Sequence, residues 1–250
     1  MNKPVPGQDH KLRYLGQIDL LQHLAPEDLR AVDQMVPLLA YPAGTVLYEP
    51  GQDLNRLYFL KRGRVRLYRL SPDGRQLTLA ILKDGNIFGE TDSFATGAGS
   101  CYAETLTDTL VCTMTTADLA RFMQQRPSVA LKLVEILSRE LRRAQELVAT
   151  LVLEDVRGRV LYCLSRLAAE FGAPDGDWAA LDLKLTQEEL AHMIGATRES
   201  VSAILAELSR HGLVRTGRGR IAVRRDVVAT LPASDGDARG AAKARNRPSG

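Results

Sequence analysis

Cysteine is scarce in this 250-residue chain. There are three, Cys101, Cys112 and Cys163, an odd number spaced too widely to form a Cys-x-x-Cys pair. That argues against a zinc ribbon or a cysteine-held iron–sulfur cluster and leaves reduced, mostly buried thiols as the expectation. Long apolar runs are missing too: no stretch reaches the roughly eighteen residues a membrane-spanning helix needs. The start, Met1 to Asp9, has no apolar signal-peptide core. A cytoplasmic protein with no membrane partner is expected. Charge of one sign does not dominate either. Lys+Arg 33 against Asp+Glu 30 leaves +3, a total that neither demands nor forbids a polyanionic partner. No His-Glu-x-x-His, phosphate loop, nucleophile elbow or Cys/His cluster occurs, so nothing points to an enzyme or to a metal.

Hydrophobic residues make up 45% and charged residues 25%, which fits a globular chain of one large or two ordinary domains. Residues 18–35 carry a helical apolar stripe, Ile18, Leu21, Leu24, Leu29 and Val32, with Pro26-Glu27-Asp28 as a start signal. From Tyr41 to about Met114 the texture becomes short strands between breakers. The expected strands are 45–48, 57–61, 64–70, 76–82, 101–105 and 109–114. Val65 and Leu67 alternate with Arg64 and Arg66, the period of a half-buried strand. Breakers recur at Pro50-Gly51, Gly63, Pro72-Asp73-Gly74, Asp84-Gly85 and Gly89. This spacing predicts a barrel or sandwich.

A long helix is expected from about Pro127 to Leu153. Val134, Leu137, Leu141, Ala144, Val148 and Leu151 follow alternating spacings of three and four over about two and a half heptads, the seam of a paired helix. Asp155 then suits the N-cap of a new helix carrying Val160, Leu161, Leu164 and Leu167. Residues 172–178 read as a loop. Beyond Pro232 the composition predicts a disordered basic tail.

The sharpest pattern lies between Leu185 and Val223. Thr186 with Glu189 makes a capping box. The helix it opens ends at Gly195, as expected for a C-terminal glycine. Thr197 can cap a second helix whose Val201, Ile204, Leu205 and Leu208 share one face. The opposite face presents Arg198, Glu199, Ser202, Ala203 and Ala206, lean enough to enter a major groove. Gly212 to Val223 reads as strand, tight glycine turn, strand. Within 197–225 seven arginines face two glutamates, a local excess of five positive charges suited to a phosphate backbone. Helix, turn, helix and a basic wing together predict binding to double-stranded DNA.

With these motifs in order, the chain resembles the Crp/Fnr family of transcription regulators over about residues 18–225. The glycines at 51, 63, 74 and 85 and the Gly89-Glu90 pair resemble that family's β roll. The stretch from Leu153 to Val160 resembles its hinge and the first helix of its DNA-binding domain, and Ala196 to Ser202 the start of its recognition helix. The resemblance implies an α+β chain: an N-terminal cyclic-nucleotide-binding-type β roll, a long dimerisation helix and a C-terminal winged helix-turn-helix. The corresponding segments are a tail at 1–17, the roll at 18–126, the dimer helix at 127–153, the DNA-binding domain at 154–231 and a tail at 232–250. It also implies a homodimer on a palindromic site and contact with RNA polymerase through the 172–178 loop.

By the same resemblance Arg198 and Glu199 reach base edges, and Thr186, Thr197, Ser200 and the wing's Arg218 bind phosphates. Ser202 sits near a base or phosphate. Ala203 stands where many relatives carry an arginine and offers only a methyl to a thymine. In the roll, Gly89 and Glu90 match the pair that holds the ribose of cyclic AMP. Ser100 and Cys101 stand where an Arg-Ser or Arg-Thr pair holds its phosphate. An anion without its guanidinium loses a charge-assisted contact on the order of 2–5 kcal/mol. Cyclic AMP is therefore not the expected cofactor, although Arg62, Arg64 or Arg75 could replace the missing cation. The roll binds nothing, binds another small molecule, or senses oxidants through Cys101. The scattered His10, His23, His192 and His211 suggest no haem site. Two other functions fit parts of the chain: a cyclic-AMP-dependent regulator, and a small-molecule-binding module with no DNA role, which would lack residues 185–225.

Overall fold

The structure is a computed structural model that describes residues 18, 20–21, 24–52, 55–90, 101–217 and 220–228. The chain divides into two compact units after Leu147.

The first unit begins with helix α1 (Pro26–Met35), which has proline in its first turn beside Glu27 and Asp28. It is shorter than the apolar stripe predicts. The residue before a proline is driven out of the helical region, and Ala25 is extended (φ −63°, ψ 152°), so the helix cannot run back through it. Ile18, Leu20 and Leu21 are buried ahead of it, outside the helix.

Eight strands follow: β1 (Leu38–Tyr41), β2 (Val46–Tyr48), β3 (Arg56–Arg62), β4 (Val65–Leu70), β5 (Gln76–Leu82), β6 (Ile87–Glu90), β7 (Tyr102–Thr105) and β8 (Thr109–Thr115). They form two antiparallel four-stranded sheets, β1-β8-β3-β6 and β2-β7-β4-β5. Strand β3 explains the design. Its Tyr58 and Leu60 face the roll interior with Tyr48, Val65, Phe88, Cys101, Ala103 and Val111. Its Leu57 and Phe59 face a second core with Cys112, Met114 and the helices. Both faces are buried, so β3 reads as a continuous apolar run. Gly89, expected as a breaker, lies inside β6 opposite Leu57.

Helix α2 (Thr116–Gln125) is capped by Thr115, whose side chain accepts from the Asp118 amide. Helix α3 (Pro127–Leu153) follows. Its Val129 and Leu133, with the half-buried Ile136, pack into the second core. Another stripe stays in solvent: Leu131, Val134, Leu137, Leu141, Val148 and Val152 are 39–73% exposed.

The second unit opens with α4 (Val156–Phe171), capped by Asp155 through the Gly158 amide at 2.8 Å. A hairpin, β9 (Gly172–Asp175) and β10 (Trp178–Leu181), follows. This corrects the expected 172–178 loop. Pro174 has no amide to donate, but β9 is a sheet edge and tolerates it. Then come α5 (Gln187–Ile194), α6 (Arg198–Arg210), β11 (Val214–Gly217), β12 (Arg220–Arg224) and a short α7 (Arg225–Val228). The sheet order is β11-β12-β10-β9. Its inner face supplies Ala179, Leu181, Val214, Ile221 and Val223 to a core shared with Val160, Leu164, Leu190, Val201 and Leu205. Among the described residues no helix is long and apolar enough to cross a membrane.

Candidate nucleic-acid interface and effector region

The capping box that opens α5 is closed in both directions. The Glu189 amide donates to Thr186 Oγ1 at 3.1 Å, and the Thr186 amide donates to Glu189 Oε2 at 2.7 Å. The Thr186 hydroxyl donates its one proton to the same carboxylate at 2.8 Å. That proton is therefore committed to the cap in this geometry, and only the turn's backbone amides can serve a phosphate without breaking it. Gly195 then ends α5 in the left-handed region at φ 63°, where a side chain is costly.

The next cap differs. The Ser200 amide donates to Thr197 Oγ1 at 3.2 Å, and the two hydroxyls lie 3.0 Å apart. One hydroxyl donates to the other, so the pair keeps one proton for an outside acceptor. That proton sits at the positive end of a thirteen-residue helix, favourable ground for a phosphate.

Beyond this cap, Val201, Leu205 and Leu208 are buried, which turns Arg198, Glu199 and Ala203 out to solvent, with Ser202 half-buried beside them. These four and Gln187 line an open notch of about 450 Å³. The structure thus brings together four of the sequence-derived positions and adds Gln187, the first residue of α5. The capping box locates Gln187 at a helix start, but only the crossing of α5 and α6 sets it beside the recognition face. Glu207, one turn beyond Ala203, accepts from Arg157 Nε at 3.0 Å.

The wing is a true hairpin, β11 on β12, and continues the α4-side sheet. Its charge differs from the simple count. Arg224 pairs with Asp226 at 2.7 Å, just past the window counted in the sequence. Arg215 stacks on Trp178. Arg220 is exposed, and Arg218 lies outside the described residues.

In the roll, Gly89 has φ 119°, and a Cβ there would lie 2.5 Å from the Arg56 carbonyl oxygen. Close strand packing alone therefore demands glycine. Cys101 is 1% exposed among Tyr48, Tyr58 and Phe88. Ser100 and the Glu90 side chain lie outside the described residues. Of the substitute cations, Arg64 reaches Asp84 at 3.4 Å and Arg75 holds Asp73 at 2.7 Å. Arg62 is exposed at the end of β3. Cys163 is buried in α4, its Sγ 3.9 Å from Met193 Sδ, and burial pushes its pKa up to about 12. Among the described residues no group of three or more His, Cys, Asp or Glu is placed to hold a metal.

A β roll, a long helix and a winged helix-turn-helix in that order define a DNA-binding transcription regulator with a sensor-type domain. Residues 38–126 match the cyclic nucleotide-binding domain, and residues 158–226 match the Crp-like helix-turn-helix domain. The chain is 32% identical over 201 residues to the CRP-like cAMP-activated global transcriptional regulator of Mycobacterium tuberculosis, covering 80% of this chain and 90% of that one. It is 32% identical over 205 residues to the cyclic AMP receptor protein of Thermus thermophilus, covering 82% and 92%. The fold aligns with a CooA mutant from Carboxydothermus hydrogenoformans at a TM-score of 0.68 and 27% identity, covering 79% of this chain and 87% of that one. The chain belongs to the Crp/Fnr family of transcription regulators.

Proposed function

We propose that the protein is a cytoplasmic homodimer, without enzymatic activity, that binds a palindromic operator with half-sites about one helical turn apart. The observation that carries this is the sidedness of α6. Its buried stripe fixes the helix, and Arg198, Glu199, Ser202 and Ala203 stand on the free side. Arg198 reads guanine and Glu199 accepts from cytosine N4. Ser202 meets a base or phosphate beside them. Thr197, Ser200, Arg218 and the turn at Thr186 fix the helix on phosphates. The exposed apolar stripe of α3 is the surface that pairs two copies. The β9–β10 hairpin contacts RNA polymerase, supported by its exposed position beside the wing.

DNA binding here does not depend on cyclic AMP. Supporting this, Cys101 is packed in the core, and Arg64 and Arg75 are engaged elsewhere. A second reading, a cyclic-AMP-dependent regulator, draws support from the names of the two relatives above. Selection from a random DNA pool by the purified chain, with and without cyclic AMP, separates the two. An enriched palindrome in both arms is expected, and Glu199→Ala relaxes one base pair per half-site. Enrichment only with cyclic AMP establishes the second reading, and no enrichment in either arm overturns the operator.

A further inference from the structure

We propose that Gln187 and Ala203 together read one A·T pair in each half-site. The inference rests on the proposal that α6 reads base edges, and extends it to a residue of the preceding helix.

At position 203 the recognition helix presents a bare, exposed methyl. The space a long side chain would fill there is part of the notch of about 450 Å³. Gln187 stands on the same notch from α5, half-buried, with the cap at Thr186 fixing its backbone. Arg198 and Glu199 line it with opposite charges, and Gln187, Ser202 and Ala203 line it with uncharged side chains.

The chemistry of the lining selects the base pair. A primary amide offers one acceptor and a donor group side by side. In the major groove that pattern matches adenine N6–H and N7. The thymine of the same pair displays its C5-methyl, which suits the Ala203 methyl. Guanine offers two acceptors, O6 and N7, and its partner offers no methyl, so a G·C pair satisfies neither residue fully. Arg198 and Glu199 take the neighbouring pair or pairs.

The test uses the full chain and the half-site obtained by selection. Wild type should prefer A·T over G·C at one position per half-site by about tenfold. Gln187→Ala should reduce that preference to about twofold and leave the other positions unchanged. Base analogues give a readout that needs no variant. Replacing that adenine by 7-deazaadenine removes N7, and replacing the thymine by deoxyuridine removes the methyl. Each should weaken wild type several-fold, whereas 7-deazaadenine should not affect Gln187→Ala.

A Gln187→Ala protein weakened by one factor on every sequence would show a phosphate contact and overturn the inference. So would analogues without effect. If Glu199→Ala relaxes its own position and Gln187→Ala relaxes none, only this inference fails. If neither variant changes any preference, the reading of α6 fails with it.

Discussion

The Arg215 guanidinium lies over the Trp178 indole, 4.0 Å from the ring centroid. The two residues sit on strands that do not pair with each other. β12 runs between them, and its residue opposite Arg215 is Ala222. Trp178 lies opposite Arg224 on that strand, so the contact runs diagonally across β12. The contact ties the wing to the β9–β10 hairpin.

Replacing Trp178 by leucine removes the ring and keeps an apolar side chain. The expected cost is about 1 kcal/mol, measured by urea unfolding. Operator affinity should fall by a few-fold on every sequence alike, because Arg215 loses its fixed position but no base contact changes. A change in base preference in a mismatch panel would contradict this.

The exposed stripe on α3 predicts a matched loss of pairing and DNA binding. A Leu141→Glu, Val148→Glu double variant puts two charges on the seam without touching either core. Sedimentation should show a monomer with unchanged helicity. Affinity for the full palindrome should fall by about a hundredfold or more, since the second half-site no longer binds at raised effective concentration. A dimer of unchanged affinity would place the pairing surface elsewhere.

Gly89→Ala separates packing from ligand binding. The added Cβ would press on the Arg56 carbonyl at a left-handed φ. The roll should lose about 2–3 kcal/mol. The loss should appear in calorimetry with no added nucleotide. Unchanged stability would mean that the strand pair can spread apart.

Thiol chemistry should be silent in the native state. All three cysteines are buried, so a disulfide reagent near pH 8 should label none, and three after denaturation. Cys163 also sets an alkaline dependence. Its folded pKa of about 12 lies above the ordinary 9.0. Above pH 9 the unfolded thiol loses its proton while the folded one keeps it. The unfolded state then binds fewer protons, so stability falls from about pH 9 to about pH 12 and is unaffected below. Cys163→Ala should flatten that slope in pH-dependent unfolding.

Features encoded within a few residues were the legible ones. The Thr186–Glu189 box, the Gly195 end, the Asp155 cap and the buried stripe of α6 each depend on short-range spacing, and the structure has them all. Features set by neighbours far along the chain were not. β1 is four residues long and half-buried throughout, so it shows no alternation, and β8 defines it. The β9 edge strand hides behind Gly172 and Pro174. The Arg224–Asp226 pair trims a charge excess that a window ending at 225 overstates. Gln187 carries no sequence mark of its position beside Ala203, which arises from how two helices cross.

The bare stripe on α3 also sets how the protein responds to its own abundance. Under the proposed pairing, the free energy that seals those side chains from water exists only between two copies. It therefore obeys mass action. Unfolding midpoints should rise with protein concentration, and operator occupancy should climb more steeply than in proportion to it. A modest fall in the protein's concentration would then loosen control of the operator before any effector level changed.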